Sequence, residues 1–392
     1  MKHKKHDDIA KPPLGNYGRN EWAILGTECG QIKQLASQLC DAFSSKWKIA
    51  YVDADHQEVD SSTVGSLPAG RQGGQLGHGA MVEFTDKIAF NRLDFMGQPA
   101  AFQLRPLFNE MDIVLVNGNH FSAKKQVVVI DPKKEDSLHR KLDRLTDVQL
   151  ILLTDPALQP FGFLKENLSD FEKIPVLQLA DFQSIQSFFE KELHHAMPPL
   201  NGLVLVGGKS RRMGTDKSVL QYHNKPQRDV VIDILDKFCK KTKVSCRPEQ
   251  AGELVYSHDV LPDTFLGLGP MGAILSAFRQ QPDSAWLVVA CDLPLLDEEA
   301  LRYLVENRDP SAIATAYRSQ ENGFPEPLVA IWEPKSYPVL LQFLAQGYSC
   351  PRKVLINSQV HLLDAPNPDV LMNVNTPDEV GVVLKKLGVE GF

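Results

Sequence analysis

Short apolar runs separated by polar, helix-length stretches recur along the chain. Glu21–Gly26 reads as a strand, Ile32–Ser45 as an amphipathic helix and Lys48–Asp55 as a second strand. Met81–Asp86 and Ile88–Asp94 read as an antiparallel pair, and Pro99–Met111 as a helix. Strands follow at Ile113–Val116, Gln126–Asp131 and Gln149–Thr154, with a charged helix, Lys134–Leu145, before the last. Ile174–Leu179 adds a strand and Phe182–His194 a closing helix, which Pro198-Pro199 stops. Strands alternating with helices imply a mostly parallel sheet flanked by helices.

The alternation then restarts. Leu203–Val206 is a short apolar strand, Gln227–Lys240 a helix, Lys243–Arg247 a strand and Val255–Leu261 an extended stretch. Gly267–Gly272 opens a helix that runs through Arg279, and Trp286–Ala290 is a strongly apolar strand. Asp297–Asn307 is a helix with acidic residues in its first turn, and residues 312–318 and 328–332 are strands. The expected fold class is α/β with two domains, the second a Rossmann-like fold whose ligands sit at strand C-terminal ends. The boundaries read as a leader at 1–20, a first domain at 21–195, a linker at 196–200 and a second domain at 201–392. Residues 60–80 hold six glycines and read as a loop.

Composition narrows the function. The chain has 392 residues, 43% apolar and 23% charged, enough for two or three domains with cores of their own. Its net charge of −7 argues against nucleic-acid binding. No apolar run approaches the roughly 20 residues of a membrane helix, and the charged N-terminus has no apolar segment behind it. Cysteines stand at 29, 40, 239, 246, 291 and 350 without zinc-ligand spacing, which suits free thiols in a reducing, cytoplasmic setting.

The candidate chemistry centres on residues 202–217, GLVLVGGKSRRMGTDK. Leu205 and Val206 end an apolar strand, and Gly207-Gly208 lets the backbone turn and approach a ligand. Lys209, Arg211, Arg212 and Lys217 follow, four cations within nine residues. A strand opening into a glycine-rich basic loop suits a polyphosphate, whose charge main-chain N–H groups and cations share. A glycine turn beside a solvated basic patch is the plainer reading of Gly-Gly alone. The spacing is neither a Walker A loop nor Gly-x-Gly-x-x-Gly. The whole string resembles LxGGxSxRMGxDK, the signature of the molybdenum cofactor guanylyltransferase family, the MobA-like nucleotidyltransferases.

Asp292 ends the apolar strand in Cys-Asp-Leu-Pro. A carboxylate there can hold Mg²⁺ against a triphosphate, whereas Asp297 is the better helix cap. Cys-Asp-Leu-Pro also resembles the family's CDxP metal motif. The resemblance further implies nucleotide contacts from Asp263 and Ser245, although members often carry Asn where Ser245 stands. Asn373-Val-Asn-Thr-Pro-Asp-Glu379 resembles the family's NVNTPEE motif, which adds a metal or nucleotide contact from Asn373 or Asn375. Thr376 with Glu379 equally forms a capping box. Arg352 and Lys353, in Ser349–Lys353, read either as a solvated basic turn or as the site for the phosphate of an acceptor.

In the first half, Gly26-Thr-Glu-Cys-Gly-Gln-Ile-Lys-Gln stands where a P-loop would, with Ile32 replacing its Lys and Lys33 its hydroxyl residue. Lys33 is one position late and should project from another helix face. Together with residues 112–118 the segment resembles the MobB-like P-loop adaptor family, which usually has an acidic residue where Asn117 stands. The half then reads as a degenerate NTPase fold without hydrolysis, or as an unrelated α/β domain. Asp53, Asp55 and His56 read as a metal cluster or a solvated strand end. His120, His194 and His195 read as surface residues.

The resemblance implies transfer of GMP from Mg·GTP to molybdopterin with release of pyrophosphate. Lys217, Arg212 and Asp292 would be the catalytic groups, GTP and molybdopterin the small-molecule partners, and a molybdoenzyme or cofactor-insertion protein the receiver. A nucleotidyltransferase acting on another phosphorylated acceptor, or a non-catalytic nucleotide- or molybdopterin-binding adaptor, are the competing readings.

Overall fold

Strand residues buried on both faces organise the chain, as a parallel sheet covered by helices requires. The computed structural model describes residues 15–54, 75–97, 99–206, 222, 225–254, 259–374 and 376–387. Most of the leader, Asp55, His56, Gly207, Gly208, Arg212, Lys217 and Asn375 therefore lie outside the described residues. Two units emerge, Met1–Ala196 and Met197–Phe392.

In the first unit the order is β1 (Glu21–Leu25), α1 (Cys29–Phe43), β2 (Ile49–Val52), β3 (Val82–Asp86), β4 (Asn91–Phe95), α2 (Ala101–Phe108), β5 (Ile113–Asn117), β6 (Lys125–Ile130), α3 (Glu135–His139), β7 (Val148–Leu153), α4 (Gly162–Asn167), β8 (Val176–Gln178) and α5 (Phe182–His195). The sheet runs β2-β5-β1-β6-β7-β8 and every pairing is parallel. Ile32, Leu35, Leu39 and Phe43 of α1 share one core with Trp22, Ile185 and Phe189. The β3–β4 hairpin forms its own two-stranded sheet.

Three expectations shift here. Helix α1 begins at Cys29, before the apolar stripe that marks it in the sequence. Strand β4 begins at Asn91, because Lys87–Phe90 form the turn and Ile88 takes a left-handed φ of 68°. The stretch expected as a helix over 134–145 divides into short 3₁₀ turns around α3, which fully buries only Leu138 and so lacks an apolar stripe.

The second unit runs β9 (Leu200–Leu205), α6 (Gln227–Leu235), β10 (Thr242–Cys246), α7 (Ala251–Leu254), β11 (Val260–Pro262), α8 (Pro270–Gln280), β12 (Ala285–Ala290), α9 (Glu298–Glu306), β13 (Ala314–Arg318), β14 (Pro325–Trp332), α10 (Ser336–Ala345), α11 (Pro351–Ile356), β15 (Val360–Leu363) and α12 (Pro377–Lys386). Its sheet order is β11-β10-β9-β12-β14-β13-β15, parallel except that β14 opposes both β12 and β13. All six residues of β12 are buried. One face packs Val231, Leu235, Leu301 and Leu304 of α6 and α9. The other packs Ile274 and Phe278 of α8 and Leu340 of α10 around Trp286 and Trp332.

Helix α6 stops at Leu235, short of the expected Lys240, because the chain turns there and the Lys240 N–H donates to Leu200 O. Asp297 caps α9 through the Ala300 N–H at 2.8 Å. The capping box of α12 forms, with Thr376 N–H donating to Glu379 Oε2 at 2.9 Å.

Candidate functional site

Because β9, β10, β11 and β12 run parallel, their C-terminal ends share one edge of the sheet. Leu205 pairs with Ser245 on one side and Ala290 on the other, and Ser245 pairs with Leu261. Main-chain bonds continue this register past the strands: Val206 N–H to Ser245 O (3.1 Å), Asp263 N–H to Cys246 O (2.9 Å) and Cys291 N–H to Leu205 O (3.4 Å). Asp263, Ser245, Leu205–Val206 and Asp292 therefore stand in a row. Antiparallel β14 enters from the same edge, since Val289 pairs with Val329, so Glu326 falls beside the Asp292 turn. From β11 to β14 the row crosses four strand spacings, about 20 Å.

At one end of the row, the Ser245 hydroxyl donates to Asp263 Oδ1 at 2.6 Å. Burial raises the Asp263 carboxyl above its ordinary value, and the Ser245 bond only partly opposes this. The loop after Asp263 is held by Ser276. Its hydroxyl accepts the N–H groups of Thr264 (2.8 Å) and Phe265 (3.3 Å) and donates to Gly272 O (2.6 Å). Gly272 is needed there, because a Cβ would lie 2.2 Å from Phe265 O.

Asp292 is half-buried at the middle of the row. Its main-chain oxygen accepts the Val374 N–H at 2.9 Å, which ties Val374 to it. Gln227 is fully buried and its Nε2 donates to Leu293 O at 3.2 Å, bracing the same turn from α6. Tyr222 lies near: burial, then the Asp292 charge, raises its phenol.

At the far end Arg352 and Lys353 diverge. Both belong to helix α11, which corrects the expectation of a basic turn. Arg352 Nη2 donates to Glu326 Oε2 at 2.8 Å, so its charge is already shared. Lys353 is exposed, with Nζ 5.7 Å from the centre of the Tyr348 ring. Consecutive helix residues face different directions.

Sequence reasoning missed Tyr222, Gln227 and Ser276, and of these only Ser276 left a signal, a hydroxyl residue one helical turn after a glycine. Glu326 falls in the Pro-rich segment Glu321–Pro327, which the sequence marks as able to frame a second substrate.

In the first unit Ile32 is buried in the core and Lys33 is exposed on another face of α1. Thr27 Oγ1 bonds Gln31 and Asp131, the latter at 3.1 Å. Asp53 accepts from Tyr51 and Asn117, each at 2.7 Å. His120 is half-buried against Cys29, which corrects its expected surface placement. His194 and His195 are exposed, and all six cysteines are free thiols. Among the described residues no helix is long and apolar enough to cross a membrane.

A doubly wound sheet with acidic residues at the ends of β11 and β12, beside a strand that opens into a glycine-rich basic segment, defines a nucleotidyltransferase. The MobA-like NTP transferase domain matches residues 202–362. A probable molybdenum cofactor guanylyltransferase from Nostoc sp. is 33% identical over 196 residues, 48% of this chain and 91% of that protein. A molybdenum cofactor biosynthesis bifunctional protein from Synechocystis sp. is 34% identical over 186 residues, and this chain spans about half of its length, 54%. Among solved structures, molybdopterin-guanine dinucleotide biosynthesis protein A from Archaeoglobus fulgidus covers 48% of this chain with 98% of its own, at 24% identity and a TM-score of 0.41. The chain belongs to the molybdenum cofactor guanylyltransferase family.

Proposed function

We propose that the second unit transfers GMP from Mg·GTP to the terminal phosphate of molybdopterin and releases pyrophosphate. The observation that carries this reading is the single row of strand ends, with Asp263 and Ser245 at one end, Asp292 in the middle and Arg352 beside Glu326 at the other. In-line attack at the α-phosphorus needs positioning and charge stabilisation rather than a covalent intermediate. In this reading Leu205, Val206, Gly207 and Gly208 present main chain to the nucleotide, and Ser245 with Asp263 holds the nucleoside. Arg212 and Lys217 neutralise its phosphates, while Arg352 and Lys353 receive the acceptor.

Asp292 suits a hard cation: it is a carboxylate at a strand end, and its main chain is bonded to Val374, which asparagines flank in the sequence. We assign it as the Mg²⁺ ligand, with Asn375 as second donor. A bound Mg²⁺ supplies charge stabilisation at the phosphates. We place the protein in the cytoplasm, with a molybdoenzyme or cofactor-insertion protein as receiver of the product.

The test is pyrophosphate release from GTP, CTP and ATP with molybdopterin as acceptor. GTP is expected to give the highest kcat/KM. Asp292→Asn is expected to lower kcat by at least about a hundredfold, the loss of several kcal/mol of metal-derived stabilisation, with an unchanged far-UV spectrum. Preference for CTP, or release only with another phosphorylated acceptor, reassigns the enzyme. Tight binding of GTP or molybdopterin without release makes it an adaptor.

A further inference from the structure

At the C-terminal edge of the first sheet, where a phosphate-binding loop would stand, the chain places a thiol against an imidazole. Cys29 is the first residue of the 15-residue helix α1, and its Sγ lies 3.2 Å from His120 Nε2. Three further elements furnish the surroundings. Asn119 Nδ2 lies 3.7 Å from the same sulfur, and its Oδ1 accepts from Lys141 Nζ at 3.2 Å. Asp53, at the end of β2, is bonded to Tyr51 and Asn117 and interacts electrostatically with His120. Burial and then the neighbouring Arg144 lower the Lys141 ammonium, which also interacts with Cys29. Cys29 is half-buried, while Glu28 and Gly30 on either side are exposed, so a small reactant can reach the sulfur.

We propose that Cys29 and His120 form a nucleophile–base pair that carries out thiol–disulfide exchange with small organic disulfides. The chemistry needs a thiol within hydrogen-bond reach of a base, in cationic surroundings open to solvent. His120 Nε2 takes the thiol proton as Cys29 Sγ attacks one sulfur of the disulfide. The S–S bond breaks, a Cys29–S–S–R bond forms, and the departing thiolate takes the proton from His120 and leaves as a thiol. Cys29 is oxidised to the mixed disulfide and one equivalent of thiol is released. Thr27, bonded to Asp131 and Gln31 and accepting Asn119 Nδ2 on its main-chain oxygen at 2.8 Å, holds the loop that presents Cys29.

The experiment uses the full chain and reads all six cysteines. A brief pulse of limiting iodoacetamide at neutral pH, followed by peptide mass spectrometry, ranks their alkylation rates. Cys29 is expected to react at least tenfold faster than the more exposed Cys350, and His120→Asn to bring Cys29 to the Cys350 rate or below. Oxidised glutathione is then expected to form its mixed disulfide at Cys29 first. A wild-type Cys29 no faster than Cys350 overturns the proposal whether or not the His120 variant folds. So does a folded His120→Asn protein with an unchanged Cys29 rate, and so does fast alkylation without mixed-disulfide formation.

Discussion

Asp263 joins a proposed binding role to a cost in the fold. Its carboxyl is raised by burial, so the folded chain favours the protonated form. A raised acid contributes most below its unfolded value and loses that contribution as pH climbs through the folded one. At neutral pH the charge is therefore a cost that the free protein carries. Asp263→Asn keeps an acceptor for the Ser245 hydroxyl and removes the charge. It is expected to raise the melting temperature at pH 7 by a few degrees while weakening GTP use. The stability gain should shrink as pH falls through the carboxylate range, and thermal melts across pH 4 to 8 check it. By position alone Asp263, between an extended stretch and a glycine-rich segment, reads as a turn residue, and the nucleotide contact proposed for it comes from the family resemblance. The brace on the Asp292 turn was not legible: Gln227 meets the Leu293 carbonyl 66 positions away, and nothing local in the chain shows which loop a buried amide will meet.

Elements follow the apolar pattern where burial is two-sided or an apolar stripe is long. The six buried residues of β12 and the stripe of α1 are of that kind. Strand β15 has only half-buried residues, and α11 has six residues led by Pro351, so neither carries a strong period. The entry to β9 is fixed by a feature no period reveals. Arg308, just after α9, donates to both carboxylate oxygens of Glu333 at 2.7 and 2.9 Å and to Pro198 O at 3.0 Å. Glu333 is 0% exposed. Burial pushes its carboxyl up and the Arg308 guanidinium holds it down, with burial prevailing. Arg308→Met should cost about 3–5 kcal/mol, because it strands a buried acid. Adding Glu333→Gln should restore part of the loss, and urea denaturation of both variants gives the comparison.

At the scale of the molecule, the two units keep separate cores. The clusters around Trp22 and Val128 draw only on residues before 196, and those around Trp286 and Leu287 only on residues after 197. Residues 1–196 expressed alone are expected to fold. With Ile32 in the core and Lys33 facing elsewhere, that fragment should release no phosphate from ATP or GTP with Mg²⁺ beyond a buffer blank. Steady release that survives repurification would mean that another group has replaced the missing lysine.

The bond from the Val374 N–H to Asp292 O joins residues 82 positions apart. Its consequence appears during synthesis. The ribosome completes the strands and the Ser245–Asp263 end of the row well before it reaches Val374. A nascent chain, or one ended early by a stop codon, thus carries those strand ends without the bond that anchors its Asp292 turn. The main chain of Asp292 therefore gains this bond late, although the codon for Asp292 is read much earlier.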